Sequence, residues 1–176
     1  MKIVYSYYVL DIVHKGHLVM MENAKAIAGP DGKLIVGILT DEAVMEKKAK
    51  PILSFEERLD LAKAIKYADV VVAQETYSPL ANVKDIRPDI LMESSSHTPE
   101  AIEQAREVMA ELGGRVIVIP YFPPQSSTGI KERIKNQHLF FVFEHILVSK
   151  NKIIILTILQ KIQHQMVFGS RVCLNQ

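Results

Sequence analysis

Ile3-Val4-Tyr5-Ser6-Tyr7-Tyr8-Val9-Leu10 runs directly into Asp11-Ile12-Val13-His14-Lys15-Gly16-His17-Leu18, and this passage decides the reading of the chain. The first eight residues are apolar, aromatic and β-branched, which suits a strand. From Gly16 to Ala28 the pattern changes to helical spacing. A strand that turns straight into a helix is the opening half of a βαβ unit, and it predicts a parallel sheet. The same alternation repeats downstream. Lys33 to Leu39, Asp69 to Ala73, Asp89 to Met92 and Arg115 to Ile119 read as four further strands. Ser54 to Tyr67 and Pro99 to Leu112 read as helices. The expected architecture is α/β, a Rossmann-like, doubly wound parallel sheet of five strands with helices on both faces.

Punctuation supports these elements. Ser54 followed by Glu57 is a capping box, in which side chain and backbone at the helix start satisfy each other. Thr98-Pro99-Glu100 sets a cap, a first-turn proline and an acid in the favoured order. Gly113-Gly114 stops the helix before the fifth strand.

The turn after strand one is also where chemistry is expected. Ligands of open parallel sheets sit beyond the carboxyl ends of the strands. A helix that starts there presents free N–H groups and the positive end of its dipole, both suited to phosphate. Gly16 lets backbone approach a ligand closely. His14 and His17 span the turn and the first helical turn, so both rings can enter one space and donate to phosphate oxygens. Two unrelated histidines, one capping and one on the surface, are the bland alternative. The glycine between them and the strand-to-helix position weigh against it. A zinc pair in a helix usually has the spacing His-x-x-x-His with an acid between, which this turn lacks.

Composition bounds the rest. The chain has 176 residues, a formal net charge of +1 and one cysteine, Cys173. One domain of common size is expected. The near-neutral balance gives no general attraction to nucleic acid or to anionic membranes. A single cysteine forms no internal disulfide and no cysteine-rich zinc site. The strand-like N-terminus lacks the pattern of a signal peptide, so the cytoplasm is the expected compartment.

Asp11 with His14-Lys15-Gly16-His17 is the first of three anchors that resemble the nucleotidylyltransferase superfamily, in its cytidylyltransferase branch. That branch includes enzymes acting on glycerol 3-phosphate, choline phosphate, ethanolamine phosphate and aminoethylphosphonate. The second anchor is Lys48-Ala49-Lys50-Pro51 followed by Ser54-Phe55-Glu56-Glu57-Arg58, and the third is Ser126-Ser127-Thr128-Gly129-Ile130-Lys131. The resemblance covers about residues 1–136. It implies transfer of CMP from CTP to a small phosphorylated or phosphonate acceptor, with pyrophosphate leaving. An adenylyltransferase on the same fold and a binding or assembly module without turnover are the alternatives.

The resemblance also implies roles for residues. His14, His17 and Lys48 are the expected catalytic groups, with Lys48 favouring the acceptor and the transferring phosphate. Val9, Leu10, Asp11, Gly16, Lys50, Ser126, Ser127, Thr128 and Lys131 are the expected contacts to the nucleotide. A Mg²⁺ ion bridging phosphates is expected, with no metal held by protein ligands alone, and relatives are commonly homodimers. Without the resemblance, the lysines equally read as a solvated loop and the hydroxyls as helix caps, and Arg58, either a helix-surface ion-pair partner or a site residue, leans towards the structural role.

Three departures bear on base and acceptor choice. Tyr8 stands where the branch has a small residue, Ser94-Ser95-Ser96-His97 stands where relatives often carry two acids and an aromatic, and Tyr121 to Gln125 lacks an Arg-Thr pair. Beyond 136 the text changes into dense apolar clusters, Leu139 to Phe143 and Ile153 to Leu156, each too short to span a membrane. The expected domains are thus 1–136, carrying the reaction, and an apolar extension, 137–176. That extension reads as an added helix, as an oligomer or membrane-surface element, or as sequence without a role.

Overall fold

The computed structural model describes residues 1–120 and 126–148, with side chains described to residue 137. The chain divides into two compact units, Met1–Ser127 and Thr128–Gln176. In the first, five strands form one sheet: β1 (Ile3–Tyr8), β2 (Lys33–Leu39), β3 (Val70–Gln74), β4 (Ile90–Ser94) and β5 (Arg115–Ile119). Every pairing is parallel and the order is β3-β2-β1-β4-β5. The α/β architecture expected from the alternating pattern is therefore the one observed.

Strand period two assigns the faces. Val4 and Tyr8 of β1 join the core formed with α1 (Lys15–Ala28) and α3 (Phe55–Lys63). Tyr5 and Tyr7 point the other way, into the layer of α4 (Leu80–Ile86) and α5 (Pro99–Glu111). A short α2 (Asp41–Met45) packs its Ala43 and Val44 beside Leu39, Tyr7 and Val9. Gly37 makes this crowding possible, because a Cβ there would stand 2.1 Å from the Tyr5 hydroxyl.

Both helix caps read from sequence are formed. Ser54 accepts from the Glu57 amide while Glu57 reaches back to the Ser54 amide, and Thr98 accepts from Ala101. The helices α2 and α4 have no counterpart in the sequence reading. At five and seven residues they are too short for a periodic signature.

The helix α6, Ser127–Val148, starts on the last residue of the first unit and runs unbroken past 136/137 within the second. Of the two apolar clusters, the first falls on the end of this helix, and Ile153 to Leu156 lies outside the described residues. Among the described residues no helix is long and apolar enough to cross a membrane.

Candidate active site

The chain winds from β1 outward to β2 and β3, then returns to lay β4 on the other side of β1. The reversal falls between β1 and β4, and ligands of such sheets usually sit beyond the carboxyl ends of the strands there. Residues 9–18 follow directly from the carboxyl end of β1. β1 ends at Tyr8, and Leu10 then takes a left-handed conformation with φ 61°. That region is costly for a branched side chain. Here the surroundings hold it, since the Leu10 side chain is fully buried. Leu10 is fully buried as a whole residue, so it exposes no atom to a nucleotide, contrary to the contact expected of it.

His14 is the N-cap residue of α1, extended at φ −142° and ψ 168°, with no side-chain cap bond. Its ring is free for another use. The rings of His14 and His17 stack with centroids 3.7 Å apart and planes inclined by 21°. Tyr8 meets the other side of His17 edge-on at 5.7 Å. The large residue at position 8 thus turns into the core and walls the histidine pair. Its hydroxyl accepts from Ser6 Oγ at 2.7 Å.

Burial pushes the His17 imidazole down to about 3, and the adjacent His14 pushes in the same direction. Burial lowers His14 as well. Near neutrality His17 is therefore an uncharged hydrogen-bonding ring. The Nδ1 atoms of both rings are buried without a hydrogen-bond partner. A buried polar atom left unpaired costs roughly 1–3 kcal/mol, a cost more often carried at functional sites than in plain cores.

Asp11 does not stand at this turn as a free acid. It is 4% exposed, and its Oδ1 accepts from the amides of Ile52 at 2.7 Å and Leu53 at 2.9 Å. The carboxylate thereby pins the end of the lysine-rich loop to the histidine turn. Arg58 completes the scaffold. Fully buried, it donates to the carbonyls of Val9, Leu39 and Leu53 and pairs with Asp41 at 2.7 Å. The ion pair is formed, but Arg58 lies in the core and not on the helix surface, and the carbonyl of Val9 is engaged by it.

On the loop, Lys48 holds its ammonium over the Tyr77 ring, 5.6 Å from the centroid, beside Lys47 at 5.0 Å. Lys50 is exposed. Ser127 donates to the carbonyl of Ile12 at 3.2 Å, which ties the third anchor to the same turn. Ser126 and Gly16 are half-buried. Thr128, exposed, and Lys131, half-buried, belong to the second unit. The structure thus brings together His14, His17, Asp11 and Ser127. It leaves Lys48 on an aromatic platform that the sequence reading did not single out.

That reading also missed a polar cluster on the other face of β1. Glu93 Oε1 accepts from the Tyr7 hydroxyl at 3.0 Å, and Glu93 Oε2 from the His97 ring. Strand alternation could have put Tyr7 on that face, but no local pattern links it to residues some ninety positions away.

Magnesium prefers clusters of oxygen ligands. Among the described residues no group of three or more histidine, cysteine, aspartate or glutamate side chains could hold a metal ion. With the Asp11 carboxylate bonded to two backbone amides, these residues do not fit a magnesium ion held by the protein alone.

Comparison with known proteins agrees with the geometry. The chain is 33% identical to the FAD synthase of Korarchaeum cryptofilum over 126 residues, covering 70% of this chain and 85% of that protein. It is 33% identical over 129 residues to the bifunctional protein HldE of Photorhabdus laumondii, covering 72% of this chain. It spans only 26% of the length of that relative. Among solved structures, the lipopolysaccharide core biosynthesis protein of Thermoplasma volcanium superposes with a TM-score of 0.58 at 23% identity. That match covers 69% of this chain and 97% of that one, and it bears on the fold. Residues 9–133 match the family described as cytidylyltransferase-like. That span holds the histidine turn, the lysine loop and the serine anchor, and the chain belongs to the cytidylyltransferase-like family of nucleotidylyltransferases.

Proposed function

We propose that this chain transfers a nucleotidyl group from a nucleoside triphosphate to a small phosphorylated acceptor, releasing pyrophosphate. The carrying observation is the stacked, half-buried pair His14 and His17 at the start of α1, beyond the end of β1. An acceptor oxygen attacks the α-phosphorus in line, and the bond to pyrophosphate breaks. No covalent bond to the protein is required, so catalysis reduces to positioning and to stabilising spreading negative charge.

His14 and His17 serve as the phosphate-contacting residues. Uncharged imidazole N–H groups in a half-buried setting suit charge that develops during reaction. Gly16 and the first amides of α1 approach the phosphates by backbone, on a turn that the buried Leu10 and the Arg58-bound Val9 carbonyl hold in place. Lys48 offsets repulsion between the acceptor and the transferring phosphate, while Lys50, Ser126 and Ser127 hold the triphosphate. Asp11 acts on the nucleotide indirectly, by anchoring the loop. Magnesium enters as part of the triphosphate complex.

ATP is the donor we favour, supported by likeness to an FAD synthase, whose product contains an adenylyl group. CTP is the second reading, supported by the three anchors shared with cytidylyltransferases. A homodimer in the cytoplasm is the working state, supported by family likeness.

Pyrophosphate release tests the reading, with ATP and CTP each offered to a panel of phosphorylated acceptors. His17→Ala should lower release about a hundredfold with the melting temperature retained, the scale of losing one well-placed charge-stabilising donor. Undiminished release would remove the histidine site. Triphosphate binding without turnover on any acceptor would favour a binding module.

A further inference from the structure

The face of β1 opposite the histidine pair carries a second group of polar residues at the same end of the sheet. Tyr7 and Glu93 lie at the carboxyl ends of neighbouring strands, and His97 follows on the loop after β4. Glu93 is 2% exposed, in a strand whose preceding residues, Ile90, Leu91 and Met92, are all buried and apolar. Both of its oxygens accept from the Tyr7 hydroxyl, at 3.0 and 3.1 Å, and Oε2 also accepts from His97 Nδ1. The Tyr7 ring lies against the imidazole, 5.7 Å between centroids and inclined by 29°.

Packing alone does not account for this arrangement. A leucine at position 93 would bury more cheaply than a carboxylate, which must be fully bonded to be tolerated. The bonds it makes hold the Tyr7 hydroxyl and orient the His97 ring, whose Nδ1 also lies 3.3 Å from that hydroxyl. A carboxylate that accepts a hydrogen bond from Nδ1–H fixes the orientation of the ring and leaves Nε2 for a ligand. The His97 side chain is 33% exposed, so the ring remains open to solvent. With the Glu93 carboxylate behind it, the ring disfavours phosphate and suits a hydroxyl, which can both donate and accept.

We propose that His97, held by Glu93 and Tyr7, is a specificity residue that recognises a substrate hydroxyl beyond the carboxyl ends of β1 and β4. This rests on the nucleotidyl-transfer reading, since it takes that end of the sheet as the place where both substrates meet. The hydroxyl belongs either to the ribose of the triphosphate or to the phosphorylated acceptor.

The experiment has one arm for each source. In the first, calorimetry compares ATP and CTP with their 2′-deoxy and 3′-deoxy forms. In the second, binding of glycerol 3-phosphate and ribose 5-phosphate is compared with that of propyl phosphate. Each ligand is titrated into the full chain, into Glu93→Gln and into His97→Gln. In one arm the full chain should prefer the hydroxylated ligand about tenfold, the scale of one hydrogen bond. Both variants should lose that preference while binding the deoxy ligand as before. Nitrogen-15 histidine spectra should also show a hydrogen-bonded proton on His97 Nδ1, a signature that Glu93→Gln weakens. A full chain without preference in either arm, or variants that keep it, overturns the proposal. His17→Ala is the separating control: unchanged triphosphate affinity there would sink the phosphate site and leave the hydroxyl comparison to stand or fall alone.

Discussion

His17 is where residue chemistry speaks most directly. The folded ring gains its proton only near pH 3, whereas an unfolded imidazole gains it near 6.5. The unfolded state therefore binds more protons across that interval. The stabilising contribution is complete above pH 6.5 and is lost progressively as pH falls towards 3. By about pH 5 the loss is about 2 kcal/mol. Urea midpoints at pH 7 and pH 5 should draw together in His17→Phe relative to the parent chain, and equal spacing in both would show that the ring is solvated. Arg58 makes a second prediction. Arg58→Met strands the Val9, Leu39 and Leu53 carbonyls and the Asp41 carboxylate. Breaking a buried ion pair from one side costs about 3–5 kcal/mol, readable as a lowered denaturation midpoint. A loss below about 1 kcal/mol would mean that water replaces the guanidinium at little cost.

At the scale of elements, Ser54 is a compact test. Ser54→Ala removes the bond to the Glu57 amide and should cost about 1 kcal/mol. An unchanged melting temperature would mean that Glu57 alone suffices. This capping box, like Thr98 before α5, was plain in the sequence because its signal lies within four residues. The five strands were equally plain, as short apolar runs between helical stretches. The α2 and α4 helices escaped because each is shorter than the window a period needs. The site divides along the same line. His14 and His17 stood out because their spacing is local to one turn. Asp11 was noticed as part of the motif, but its work on Ile52 and Leu53 spans some forty residues and depends on how β1 and the loop meet in three dimensions. The Tyr7–Glu93–His97 group required the β1–β4 pairing before it could be seen at all.

For the whole molecule, the order β3-β2-β1-β4-β5 places the strand carrying the histidine turn in the centre, paired on both sides. Gly37 belongs to this level, because it lets β2 lie against the Tyr5 ring of the central strand. Gly37→Val should lower the yield of folded protein sharply, since a Cβ would fall 2.1 Å from a hydroxyl that already bonds Gln74 and Asn82. Overpacking of a well-filled core costs about 1–3 kcal/mol even when neighbours can shift. Normal expression and midpoint would mean that Tyr5 finds another rotamer. The Asp11 carboxylate has a practical consequence at this scale. The Ile52 and Leu53 amides that it holds are slow-exchange reporters built into the chain. Their deuterium uptake measures how often the lysine segment lets go of the turn, before any substrate is known, and any variant that quickens it has slackened the catalytic framework from within.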